Sequence, residues 1–314
     1  MKRLSIFFIL LSLAVLLTSP HFGIAAEGTC HVPGSVSQGH AFPVIVTGSK
    51  PFEARFTWRE EELFVSSVPN PFASNPEEAH KAEVLLAVPL DAKGSLPLTI
   101  RANGKSHRFA VKALSVAWPQ SILKVLPRYV QPPLEVQEKI ARDREHSRQA
   151  LALRTEKQWQ LPLARPVPGG ITSPFGGRRV FNGQPRAPHK GTDLRSPEGA
   201  PVRAAADGIA VLAEEQYYGG NTIYVDHGQG IFSVYCHLLE ADVSVGDKVR
   251  RGQVIARSGA TGRVTGAHLH FGFIVQGVSV DAMPLLDFPP KVTGGPSHSI
   301  FEKKASPKKA RSKK

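Results

Sequence analysis

Cysteine is nearly absent, with two residues, Cys30 and Cys236, in 314. That excludes a disulfide-rich scaffold and any four-cysteine zinc site. The two thiols could pair in an oxidising compartment or stay separate, and sequence alone leaves both open. Long apolar runs are lacking too. Ile6 to Leu17, broken only by Ser12, spans 12 residues, whereas a membrane-spanning helix needs about 20. Acidic charge is in deficit, 26 Asp+Glu against 39 Lys+Arg, for a formal net charge of +13. The excess is unevenly placed. Residues 291–314 carry a net +7 and Lys2 with Arg3 add +2, so the remainder of the chain nets only +4. A basic DNA-binding body is excluded on that distribution, and no specific nucleic-acid partner is expected.

What is present is an ordinary globular composition, 41% hydrophobic and 21% charged, with enough length for two domains. Gly 28 and Pro 26 favour many turns over a helix bundle. Lys2-Arg3, the apolar run and the small residues Gly23, Ala25 and Ala26 follow the order of a secretory signal. Residues 1–26 are therefore read as a signal peptide, with cleavage after Ala25 or Ala26 and no stable membrane span. Glu27-Gly28-Thr29 before Cys30 does not form a lipoprotein box.

Residues 27–115 hold short β-rich runs such as Phe42–Thr47, Ala54–Trp58, Ala82–Val88, Leu96–Ile100 and His107–Val111. Asn103-Gly104 between the last two is a hairpin signal. Runs at this spacing predict a small β-sandwich-like domain. His31, His40, His80 and His107 have no ligand spacing. Residues 116–160 begin with a lead-in punctuated by Pro119, Pro127, Pro132 and Pro133. Leu134 to Gln160 then lacks Gly and Pro, which predicts an exposed linker helix. Residues 161–290 are again β-rich, and the tail 291–314 reads as a disordered polycation.

The chemistry lies between 189 and 270. His189-Lys-Gly-Thr-Asp193 sets an imidazole and a carboxylate an even number of residues apart, on one face of a strand. His268-Leu-His270 does the same for two imidazoles, with Leu269 turned away. His237 ends the run Ile231–His237. One His, one Asp and one further His would supply three ligands to a tetrahedral Zn²⁺ with an open fourth position, as catalytic zinc sites have. The histidines left over suit proton transfer near neutral pH.

These stretches resemble peptidase family M23, the LytM/lysostaphin type. The matching residues include Ile171–Arg179, Pro188–Leu194, Gly220–Gly228, Tyr235–Leu238, Val245–Val249 and Gly262–His270. The resemblance implies a mainly β architecture: N-terminal β-sandwich-like domain, helical linker, and C-terminal M23 antiparallel β domain. It implies His189, Asp193 and His270 as zinc ligands and His237 and His268 as the catalytic pair. It further implies a secreted zinc metalloendopeptidase that hydrolyses peptide cross-links of peptidoglycan in the periplasm or cell envelope, a D,D-endopeptidase in particular. Relatives that activate a cell-wall amidase, or only bind the wall, usually lack one of these residues; all five are present here. Asn182, Arg178, Arg179 and Asn221 are expected to line the groove, His227 to be structural, and Tyr217, Tyr218 and Tyr224 to pack within strands. Val245–Ala256 also resembles half of a biotinyl or lipoyl carrier, a reading that leaves the histidines without a role. The basic tail is expected to attract anionic envelope polymers.

Overall fold

A computed structural model of the chain describes residues 29–124, 130–286 and 298–299. Residues 1–26, read above as a signal peptide, and all of 291–314 except 298–299 lie outside them. Two five-stranded sheets form the N-terminal unit. One contains His298–Ser299, Thr29–His31, Ala41–Gly48, His80–Ala87 and Val68–Pro69; the other contains Ser35–Ser37, Lys105–Leu114, Ser95–Ala102, Glu53–Trp58 and Glu61–Ser66. Ala54, Phe56 and Trp58 alternate with less buried residues, as a strand with one face on a core requires. Their core is shared with Val44, Val46, Val84, Leu86, Leu98 and Ile100. Asn103 and Gly104 both have positive φ, 52° and 74°. They make the two-residue turn that joins Ser95–Ala102 to Lys105–Leu114, with Ala102 opposite Lys105.

The strand His80–Ala87 is buried on both faces. Val84 and Leu86 enter the first core, whereas Leu85 and Ala87, with Ala41, join the core of the second unit. The two units are therefore packed through one strand. The strap between them is shorter in helix than its composition suggested. Helix α1 runs Gln137–Leu151 and buries only Ile140 and Ala150. Beyond it the chain is held extended. Gln158 N–H donates to the His227 carbonyl at 2.8 Å, Gln229 N–H to Thr155 at 2.9 Å, and Thr155 Oγ1 to Asp226 at 2.8 Å. These bonds capture the backbone that a longer helix would have used internally. Lys157 pairs with Glu83 of the N-terminal unit at 2.7 Å.

The second unit is built on a ten-stranded sheet running from Ile171–Ser173 through Gly191–Leu194, Leu269–Val275, Ile231–Ala241, Gly220–Asp226 and Gly208–Gln216 to Lys248–Val249. A three-stranded sheet beside it joins Gln120–Leu123 of the lead-in, in parallel, to Arg178–Phe181 and then to Gln184–Arg186. In the N-terminal unit, His298–Ser299 pairs with Thr29–Cys30 at the edge of the first sheet. That part of the tail is thus a strand, contrary to the expectation of disorder throughout 291–314. Cys30 and Cys236 are both free and buried, the former in the first core, and burial pushes both thiols up to about 12. Among the described residues no helix is long and apolar enough to cross a membrane.

His227 is structural. Its Nδ1–H donates to the Asp207 carbonyl at 2.7 Å, and its Nε2 lies 2.8 Å from Ser233 Oγ. Ser233 in turn lies 2.9 Å from Tyr235 Oη, which accepts from Ala205 N–H. Burial outweighs the favourable Asp207 carbonyl and the nearby Asp226 and Asp207 charges, and pushes His227 down to about 4. The unfolded imidazole takes up its proton nearer 6.5. Between those values the unfolded chain binds more protons, so stability is full above about pH 6.5 and falls as pH drops towards 4. The expected loss is about 3 kcal/mol. Denaturant midpoints of wild type and His227→Gln between pH 7.5 and 4.5 check this. Parallel pH profiles for the two proteins would refute it.

Candidate metal centre

Antiparallel pairing brings Asp193 directly opposite His270. On its other side His270 faces Cys236 of the strand Ile231–Ala241. His189 precedes the strand Gly191–Leu194 and is tied by backbone bonds, its N–H to Gly177 at 3.0 Å and its carbonyl from Gly176 at 2.9 Å. His189 Nε2 consequently lies 3.0 Å from Asp193 Oδ1 and 3.0 Å from His270 Nδ1, while His270 Nδ1 lies 2.8 Å from Asp193 Oδ1. These three residues form a compact donor cluster, with His189 and Asp193 buried and His270 half-buried.

The atoms that converge are electron-pair donors. His189 Nδ1 lies 3.0 Å from the Pro174 carbonyl, which can only accept, so the proton sits on Nδ1 and Nε2 presents its lone pair. Asp193 offers Oδ1, because its Oδ2 accepts from Arg179 at 3.1 Å. Three donor atoms this close can share one cation. Tetrahedral zinc with ligands at about 2.0–2.2 Å would hold them roughly 3.3 Å apart, a small expansion of the arrangement present. The outer partners Pro174 and Arg179 orient the ligands as second partners do in zinc sites. The residues fit a zinc ion with three protein ligands.

Electrostatics follow from burial and company. Burial raises the Asp193 carboxyl, but the His189 and His270 imidazoles outweigh it and hold it well below the usual carboxylate range. Burial pushes His189 down, against Asp193. It also pushes His237 down to about 3, with His270 and His268 adding to the effect.

His237 sits in the left-handed region, φ 63°, at an irregularity of its strand. A histidine there is unusual and signals a locally enforced backbone. Its N–H donates to Gly219 at 2.7 Å, and its Nδ1–H donates to the Thr261 carbonyl at 2.9 Å. Nε2 is therefore the acceptor nitrogen. The His237 ring lies 4.9 Å from His268 and 6.0 Å from His270. His268 Nδ1–H donates to the Gly266 carbonyl at 2.8 Å, and its Nε2 lies 3.8 Å from Asp193 Oδ1. Asp193, His237, His268 and His270 line one cavity of about 620 Å³, and His189 joins Asp193 and His270 in the donor cluster beside it.

Other expected groove residues separate. Arg179 pins Asp193, and Arg178 is exposed. Asn182, φ 50°, occupies the turn between Arg178–Phe181 and Gln184–Arg186 rather than the groove. Asn221 braces the Leu238 and Leu239 carbonyls at 3.2 and 2.9 Å. Tyr224 bonds Ser147 of α1, whereas Tyr218 lines the cavity, against the expectation of strand packing. Gly191 has a steric reason: a Cβ there would lie 2.6 Å from His270 Nε2 and 2.7 Å from the Phe271 carbonyl. Gly191→Ala should tilt His270 and weaken metal binding roughly 10- to 100-fold. Competition with a chelator of known affinity measures this, and wild-type affinity in the variant would refute it.

Residues 187–282 match the sequence profile of Peptidase family M23. The chain carries a peptidase family M23 domain. Over 114 residues it is 46% identical to "Peptidoglycan DD-endopeptidase ShyA" of Vibrio cholerae, covering 36% of this chain and 26% of that protein. Over 123 residues it is 36% identical to "DD-carboxypeptidase/endopeptidase Mpg" of Neisseria meningitidis, covering 39% of this chain and 28% of that protein. The matched part therefore spans about a quarter of these relatives. A solved structure assigned to peptidase M23 from Pseudomonas aeruginosa aligns at 28% identity and TM-score 0.56, over 74% of this chain and 87% of that one. This likeness extends well beyond the M23 domain into the N-terminal half. Zinc is the cofactor of M23 metallopeptidases, in keeping with the donor set described above.

Proposed function

We propose that this chain is a zinc metalloendopeptidase that hydrolyses peptide cross-links of peptidoglycan, acting as a D,D-endopeptidase in the cell envelope. The observation that carries the reading is the convergence of His189, Asp193 and His270 beside a second pair, His237 and His268. The D,D assignment draws on the relatives named above, and export draws on residues 1–26.

His189 Nε2, Asp193 Oδ1 and His270 Nδ1 would hold the metal. A bound zinc ion supplies Lewis acidity and lowers the pKa of the attacking water from 15.7 towards about 7. The chain's own groups do the rest. Thr261 and Gly266 fix the ring orientation of His237 and His268, so each directs Nε2 into the cavity. One Nε2 accepts the proton of the attacking water. The other, carrying a proton, steadies the developing oxyanion and delivers the proton to the leaving amine. Arg179 donates to Asp193 Oδ2 and so leaves Oδ1 for the metal. The partly enclosed cavity limits competing water.

Purified full-length protein incubated with peptidoglycan should release products with new amine termini, and a zinc chelator should stop the release. Muropeptide mass spectrometry identifies the bond. Release of whole stem peptides, with the lactyl carboxylate left on the glycan strand, would make it an amidase instead. Binding without cleavage would favour an activator of a cell-wall amidase.

A further inference from the structure

A helix laid against a sheet normally docks through an apolar stripe. Helix α1 docks through a polar one. Lys139, Asp143, His146, Ser147 and Ala150 share one of its faces, and the first four are polar. All four bond to the end of the strand Gly208–Gln216 or to the turn that follows it. Lys139 Nζ donates to the Glu215 carbonyl at 2.6 Å, and His146 Nδ1 lies 2.9 Å from Glu214 Oε2. Ser147 Oγ accepts from Gln216 Nε2 at 3.0 Å. Asp143 Oδ2 accepts from the Tyr217 N–H at 2.7 Å. Of these bonds, the one from Asp143 is made to the backbone of the turn Tyr217–Gly219.

That turn carries His237. The Gly219 carbonyl accepts the His237 N–H at 2.7 Å, and the Tyr218 carbonyl accepts the Arg263 N–H at 3.0 Å. Arg263 follows Thr261, whose carbonyl accepts from His237 Nδ1–H at 2.9 Å. The turn and the 261–263 loop are interlocked. Asn221 N–H donates to Thr261 Oγ1 at 3.0 Å. Gly220 and Gly262 both have positive φ, 62° and 74°. A Cβ at Gly220 would strike Thr261, and one at Gly262 would strike Gly220. A shift of the turn therefore moves both groups that hold His237. The metal ligands are held separately, by Pro174, Arg179 and the pairing of Asp193 with His270.

We infer that Asp143 is a positioning residue for His237. Through the Tyr217 N–H it fixes the turn Tyr217–Gly219, and through the turn it fixes where His237 Nε2 points. Helix α1 precedes the residues that match the M23 profile, 187–282, yet on this inference it supports the reaction. The polar stripe then has a reason: hydrogen bonds fix direction, which apolar packing does less well. The inference rests on the catalytic reading of His237 and adds a residue outside the metal centre.

The test uses the zinc-loaded full-length chain and a synthetic cross-linked peptide. Asp143→Ala should lower kcat about ten- to hundredfold, the scale of a small misplacement of a reacting group. KM and zinc content should stay as in wild type. Asp143→Asn keeps a side-chain oxygen for the Tyr217 N–H and should recover most of kcat. Hydrogen exchange reads the same coupling without catalysis. In Asp143→Ala the His237 amide should exchange at least about tenfold faster, while the amides of the strand Leu269–Val275 keep their protection. Should Asp143→Ala not fold, Asp143→Leu, of similar size and better helix propensity, replaces it with the same expectations. Wild-type kcat in the variant overturns the inference. So does a loss confined to KM with His237 exchange unchanged, which would make Asp143 a substrate contact. If wild type leaves the peptide uncut, the peptidase reading fails on its own. His237 exchange then decides: an unchanged rate in the variant overturns the positioning role, and a faster one sustains it.

Discussion

His237→Ala should keep the metal and lose turnover by about 10² to 10⁴, the range of a single general acid or base. His189→Ala should lose both. The contrast follows from where the two imidazoles point. His189 Nε2 is one of three donors packed within 3.0 Å of one another, and its removal leaves two ligands, too few for a stable zinc site. The ring of His237 is 6.0 Å from that of His270, and its Nδ1 is committed to Thr261. It is beside the cluster without belonging to it. The backbone at 237 is left-handed in the native protein, and alanine meets the same backbone cost there as histidine, about 1–2 kcal/mol. The variant should therefore fold. Zinc content and initial rate measured on the same preparations separate the cases. A metal-free His237→Ala, or a His189→Ala that retains full activity, would break the assignment of roles.

Trp159→Ala should lower stability by about 3–5 kcal/mol, the range for truncating a large buried aromatic. Trp159 is 1% exposed and lies in the core of the M23 unit although it belongs to the strap that precedes it. Lys157 Nζ lies 4.0 Å above its ring and pairs with Glu83 of the N-terminal unit. The indole thus fastens the strap to one unit while the neighbouring lysine fastens it to the other. At about 2–4 °C per kcal/mol for a unit of this size, the melting temperature should fall by roughly 10 °C. Trp159→Phe should lose much less. A loss below about 1 kcal/mol in Trp159→Ala would mean that the strap contributes little to the folded state.

How much of this was legible beforehand depends on the range of the interaction involved. The Asn103-Gly104 turn follows from two adjacent residues that tolerate positive φ. The burial of Leu269 between His268 and His270 follows from strand alternation. Both are local. The extent of α1 was not legible, because Thr155 and Gln158 bond to a hairpin some 70 residues away, and propensity carries no knowledge of that competitor. The double burial of His80–Ala87 was hidden for the same reason. A run of apolar residues does not say which core each face meets.

By itself, the sequence determined the chemistry of the centre: which side chains carry imidazole or carboxylate, and that too few cysteines exist for a four-cysteine zinc site. Tertiary structure decided which atom of each turns into the donor cluster and what stands behind it. Asp193 and His270 meet across 77 residues, and His189 and His270 across 81. Only strand register closes such distances. The choice of Nε2 in His189, of Oδ1 in Asp193 and of Nε2 in His237 belongs to Pro174, Arg179 and Thr261. Those partners act through hydrogen-bond direction, which exists only once the chain has folded.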